Sequence, residues 1–92
     1  MSEYVTVESR PTDHPDVLEI VTNQTLTEDD TEIYVSPEAG DEGSPLAQTL
    51  FGVAGIRALT ITASTLLVTR DPDTVWEDIV DEVRDALRDF FL

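Results

Sequence analysis

Trp76, Ile79, Val80, Val83, Leu87 and Phe90 recur at spacings of three and four, a single apolar stripe along a helix of about four turns. Thr74-x-x-Glu77 ahead of the stripe reads as a capping box, so the helix is expected to open there. A one-sided helix persists in water only when something flat and apolar covers its stripe. The chain has 92 residues, enough for one domain over residues 1–92, so the cover must come from the strands that precede the helix.

Those strands are legible from alternation. Ile56 to Thr62 and Thr65 to Arg70 form a hairpin around Ala63-Ser64. Pairing Thr62 with Thr65 sets Ile61 against Leu66, Leu59 against Val68 and Arg57 against Arg70 on one face. The other face then carries Ala58, Thr60, Thr62, Leu67 and Thr69, a threonine-rich surface suited to water. Upstream, Glu3 to Glu8 alternate, with Val5 and Val7 on one side and Tyr4, Thr6 and Glu8 on the other, until Pro11 interrupts. Val17 to Thr22 is a second strand with Leu18 and Ile20 inward. Thr31 to Val35 is a short third strand, expected to turn Ile33 and Val35 inward and Tyr34 outward.

Ser36 to Gly43, with Pro37, Gly40 and Gly43, is expected to be a solvated loop. Ser44-Pro45 reads as a helix N-cap with proline at the first helical position, where a missing N–H costs nothing. Leu46, Leu50 and Phe51 give that helix its apolar side over about two turns, and Gly52 is expected to close it in a left-handed conformation. The order β-β-β-α-β-β-α predicts an α+β, two-layer sandwich, a mostly antiparallel sheet with two helices on one face.

Against 20 Asp and Glu stand five arginines, Arg10, Arg57, Arg70, Arg84 and Arg88, for a net charge of −15. Disordered acidic chains are poor in apolar residues, whereas 40% of this one is hydrophobic and periodically placed. The long helix repeats the excess locally. Glu77/Asp81, Asp78/Glu82, Asp81/Asp85, Asp85/Asp89 and Arg84/Arg88 are like charges at i, i+4, each costing about 0.2–0.5 kcal/mol at low salt. Only Asp81/Arg84 and Asp85/Arg88, at i, i+3, offset them. Both features point to the salt-rich cytoplasm of a halophile, where the Debye length falls to about 3 Å near 1 M, in preference to a mesophilic acidic binder of basic partners. Nucleic acids and anionic membranes would be repelled. No apolar run approaches the roughly 18 residues that span a bilayer, and the N-terminus shows no export signal, so a cytoplasmic location is expected.

The chain contains no cysteine, so disulfides, thiolate zinc sites and cysteine-held iron-sulfur clusters are excluded within these residues. His14, the sole histidine, has Asp13 and Asp16 beside it, fewer than the three or four convergent ligands of a defined metal site. A solvated turn is the simpler reading. No motif ties a serine or a carboxylate pair to His14, and glycines at 40, 43, 52 and 55 make no phosphate-cradling loop. Neither catalysis nor a cofactor is expected.

With the elements placed, Ser44-Pro45-Leu46-Ala47, Leu50-Phe51, Gly55-Ile56, Leu66-Leu67-Val68-Thr69 and Trp76 resemble the N-terminal domain of Nfu/NifU-type iron-sulfur scaffold proteins, over essentially the whole chain. That family shows a Ser-Pro-Leu-Ala helix ending in Leu-Phe, a Pro-Gly-Val entry to a hairpin and a final helix opened by tryptophan. Its Pro-Asn-Pro segment is Asp13-His14-Pro15 here, and the proline before Gly55 is Ala54. In full-length members a second domain holds the cluster on a Cys-x-x-Cys motif, which these 92 residues lack. The resemblance therefore implies an accessory or adaptor in iron-sulfur cluster assembly or delivery, touching a cluster carrier or a recipient apoprotein without ligating the cluster. A small regulatory or subunit-like binding protein unrelated to clusters is the alternative.

The expected contact surface is the open sheet face, where Tyr4, Thr6, Tyr34, Thr60 and Leu67 would form an apolar and aromatic patch; a face simply exposed to water is the plainer alternative. Arg57 opposite Arg70 requires an anion between the two cations. Asp71 or Asp73 of the chain, or an acidic residue of a partner, would supply it. Trp76 is assigned to the core stripe.

Overall fold

The computed structural model describes residues 5–27 and 31–91. Its elements are β1 (Val7–Pro11), β2 (Val17–Thr22), β3 (Glu32–Tyr34), α1 (Pro37–Asp41), α2 (Pro45–Phe51), β4 (Ile56–Thr62), β5 (Thr65–Arg70) and α3 (Trp76–Phe91). The strands form one sheet in the order β1-β2-β5-β4-β3, every neighbouring pair antiparallel. The α+β class and the two-layer arrangement are those the sequence predicts.

The hairpin register holds through its middle, with Thr62 opposite Thr65, Ile61 opposite Leu66 and Leu59 opposite Val68. Ala63 in its two-residue turn has φ 29, a left-handed conformation that suits glycine better than alanine. The turn is nevertheless held, because its carbonyls accept from Thr22 N at 2.9 Å and Leu26 N at 2.6 Å. The inner sheet face buries Ile20, Leu59, Ile61, Leu66 and Val68 against Leu46 and Leu50 of α2 and Ile79, Val83 and Leu87 of α3. Each such side chain contributes about 1.5–3 kcal/mol of burial free energy.

Several local expectations are corrected. The segment after β3 contains α1, capped as α2 is: Ser36 Oγ accepts from Ala39 N at 3.2 Å and Ser44 Oγ from Ala47 N at 3.3 Å. The described residues thus form three helices. Ile33 and Val35 point away from the helices, 67% and 79% exposed, while Tyr34 turns inward. Its ring meets Phe51 edge-on at 6.2 Å between centroids, over glycines whose missing side chains make the room: a Cβ on Gly43 would lie 2.3 Å from Tyr34, and one on Gly40 2.1 Å from Phe51. The Tyr34 hydroxyl donates to Glu32 and accepts from Ser44 N at 3.2 Å. Burial works to raise the Glu32 carboxyl, and hydrogen bonds from Thr27, Tyr34 and Ser44 outweigh it, so the group lies below its ordinary value.

β1 starts at Val7 and continues through Pro11, which pairs with Leu18; an edge strand tolerates the missing donor. Tyr4 lies outside the described residues. Gly52 ends α2 with a right-handed φ of −70, and Gly55 takes the positive value, 96. α3 opens with Ile79 N bonded to Val75 O, which makes Val75 and not Thr74 the cap residue, and the Thr74 hydroxyl donates to Asp71 O at 2.6 Å. Phe90 is 41% exposed, and Phe91 packs on the core in its place.

Candidate functional site

α2 and α3 cover one face of the sheet and leave the other bare. Strand register sets what lies on the bare face. Across the middle run Ile33, Thr60, Leu67, Glu19 and Arg10, each opposite the next. Towards the β4–β5 turn a second row holds Thr62, Thr65, Val21 and Glu8. Towards the opposite end Thr69 pairs with Val17 on one side and Ala58 on the other.

Arg57 reaches this face through a β-bulge. Ile56 is opposite Arg70 and Ala58 is opposite Thr69, so Arg57 is the extra residue in β4. A bulge re-aims side chains by letting two residues oppose one. Ile56 stays buried while Arg57 lines a shallow depression of about 540 Å³ with Val35, Ala58 and Thr69, closed at one rim by Ser36, Pro37 and Glu38. The expected Arg57/Arg70 pair therefore does not form. A two-cation pair is avoided by inserting one residue, and neither Asp71 nor Asp73 is needed to bridge it.

Arg70 sits on the helical side, where Nε is 3.2 Å from Asp16 Oδ1 and Nη1 donates to Thr74 O at 3.1 Å. Its guanidinium lies 4.9 Å from the centroid of Trp76, whose indole N–H donates to Pro15 O at 3.1 Å. Arg70 and Trp76 thus tie the β1–β2 loop to the start of α3. His14 serves the same loop: its Nδ1 accepts from Asp16 N at 3.1 Å, as an asparagine oxygen does in an Asx turn.

Of the sequence-predicted contact residues, Thr60 and Leu67 stand side by side at the centre of the bare face. Arg57 joins them by way of the bulge. Thr6 is exposed ahead of β1, at the far edge, its N–H bonded to Asn23 Oδ1 at 3.0 Å. Tyr34 and Arg70 belong to the opposite side. Ile33 and Val35 are the additions that sequence reasoning missed. The available signal was the pair of small residues, Gly40 and Gly43, which makes space for large aromatics on the inner side.

The charges on this face set it apart. Among the described residues of the paired strands, Glu8 and Glu19 offset Arg10 and Arg57, with Glu38 at the rim of the Arg57 depression, in a chain whose net charge is −15. Among the described residues Arg10, Arg70, Arg84 and Arg88 each have a carboxylate within 4.0 Å, and Arg57 has none. Elsewhere, among the described residues, no group of three or more His, Asp or Glu side chains is arranged to hold a metal ion. No described helix is long and apolar enough to cross a membrane.

A family model described as scaffold protein Nfu/NifU N terminal matches residues 5–92. Among solved structures, protein SAV1430 from Staphylococcus aureus superposes with a TM-score of 0.73 at 13% identity, covering 94% of this chain and 100% of that one. A NifU-like protein from Saccharomyces cerevisiae gives a TM-score of 0.74 at 21% identity, covering 91% and 76%. At these identities the likeness is one of fold. No curated protein matches the sequence.

Proposed function

Because this chain belongs to the Nfu/NifU N-terminal scaffold family, we propose that it serves iron-sulfur cluster assembly or delivery as a non-catalytic adaptor, touching a cluster carrier or a recipient apoprotein without ligating the cluster. The observation that carries this reading is the bare sheet face. It is aliphatic and threonine-rich, electrically balanced, and centred on Thr60 and Leu67, in a chain that offers no thiolate for iron. Contact surfaces have charge-depleted centres, and here Thr60 and Leu67 pair at the centre of a face whose acidic and basic side chains are matched, while the chain as a whole carries −15. The working environment in this reading is a salt-rich cytoplasm, where screening relieves that crowding.

Gel filtration in about 2 M KCl tests it, with a cluster-loaded Cys-x-x-Cys carrier domain and a recipient apoprotein as probes. The chain is expected to co-elute with one of them while the cluster absorbance stays with the cysteine-bearing protein. Leu67→Asp is expected to abolish co-elution. Separate elution from both probes overturns the reading.

A further inference from the structure

We infer that two copies of this chain cover each other's bare sheet faces about a two-fold axis running along β5. The inference goes beyond the cluster-assembly reading and stands without it.

β5 is the central strand of the order β1-β2-β5-β4-β3. A half-turn about it therefore lays β4 of one copy over β2 of the other, the geometry of an isologous contact. Leu67, 37% exposed on the central strand, then meets its own copy on the axis. Arg57 on β4 comes over the β2 carboxylate Glu19, and the contact is made twice. Arg57 lies one row from Glu19, since it flanks Thr69 and Glu19 pairs with Leu67. That row is about 7 Å, within reach of an extended arginine. The one arginine without a carboxylate among the described residues thus finds one on the copy.

Charge and area together set the conditions. Two molecules of charge −15 repel in dilute buffer. The excess lies off the face, so near 1 M salt, with a Debye length of about 3 Å, it no longer opposes contact, while a partly buried Arg57/Glu19 pair is screened less. Five strands about 4.8 Å apart and some 20 Å long present roughly 500 Å² in projection. A standard stable interface buries about 800 Å² per partner. The dimer is therefore weak, and an alternative protein partner can displace it.

Sedimentation equilibrium of the whole chain at protein concentrations up to about 1 mM is the test. A monomer is expected in dilute buffer and a monomer–dimer equilibrium in about 2 M KCl. Leu67→Glu and Ile33→Lys are expected to remove the dimer, and Val75→Glu, which adds the same charge as Leu67→Glu at an exposed site just before α3, to leave it intact. Arg57→Glu and Glu19→Arg are each expected to weaken it roughly three- to fivefold, and the double exchange to restore it. Circular dichroism identifies any variant that has not folded, and the remaining face variant then decides. A monomer in all salt conditions overturns the inference even if a carrier binds the face. So does a dimer indifferent to both face variants, or a double exchange that fails to restore it.

Discussion

Glu32 concentrates the acid sensitivity of the β3 end. Its carboxyl is held below the ordinary value of 4.5 by hydrogen bonds that win against burial. In the folded protein it therefore releases its proton at lower pH than in the unfolded chain. Its stabilisation is complete above the unfolded value and is lost as pH falls through the folded one. Urea titrations from pH 6 downwards are expected to show the parent losing stability below about pH 4.5 more steeply than Glu32→Gln; parallel curves would contradict this. Ala63 is a second residue with a local cost, since its φ of 29 is one that glycine adopts without a steric penalty. Ala63→Gly is expected to raise stability by about 0.5–1 kcal/mol, the steric gain being partly offset by unfolded-state entropy. At this scale the sequence was only partly legible. Alternation identified the residues that share a face, but not which face of β3 turns inward, because Tyr34 and the Ile33/Val35 pair are both apolar enough to be buried. The bulge at Arg57 escaped alternation too: strict alternation puts Ile56 and Leu59, three residues apart, on opposite faces, and only the extra residue lets both be buried.

The elements divide in the same way. β2, β4, β5, α2 and α3 follow from periodicity and cross-strand pairing, which is why the hairpin register holds despite an alanine in its turn. α1 escaped notice although Ser36-Pro37 repeats the Ser44-Pro45 signal, because two nearby glycines suggest a loop; here they make room for aromatic rings. In α3 the offsetting pairs form, Arg84 with Asp81 at 3.2 Å and Arg88 with Asp85 at 4.0 Å, both on exposed side chains. They leave the i, i+4 repulsions standing. Asp89→Lys replaces one of them with an attraction and puts a cation near the helix C-terminus. It is expected to stabilise the protein by about 0.5–1 kcal/mol in dilute buffer and by much less near 1 M KCl. Thermal melts at the two salt concentrations check both numbers, and an equal gain in each would contradict the electrostatic account of α3.

Over the whole molecule the arrangement of charge matters more than its total. Twenty carboxylates against five arginines make folding a salt-dependent process, so Tm is expected to climb steadily from dilute buffer to about 2 M KCl. A flat response would remove the case for a salt-rich setting. The family was legible from short motifs, and its model spans residues 5–92. Of the bare face, the sequence made Thr60 and Leu67 legible, and Arg57 for a pairing that does not form; its other members depend on which side the helices cover. The central claim is that this face meets a cluster-bearing protein and that iron never passes to the chain. Chemical-shift mapping of the ¹⁵N-labelled chain against a cluster-loaded Cys-x-x-Cys carrier domain, in about 2 M KCl, tests it most directly. The account predicts the largest shifts at Ile33, Arg57, Thr60, Leu67 and Thr69, with the cluster chromophore remaining on the carrier. Shifts centred on α2 or α3, or a chromophore that transfers to this chain, would contradict it.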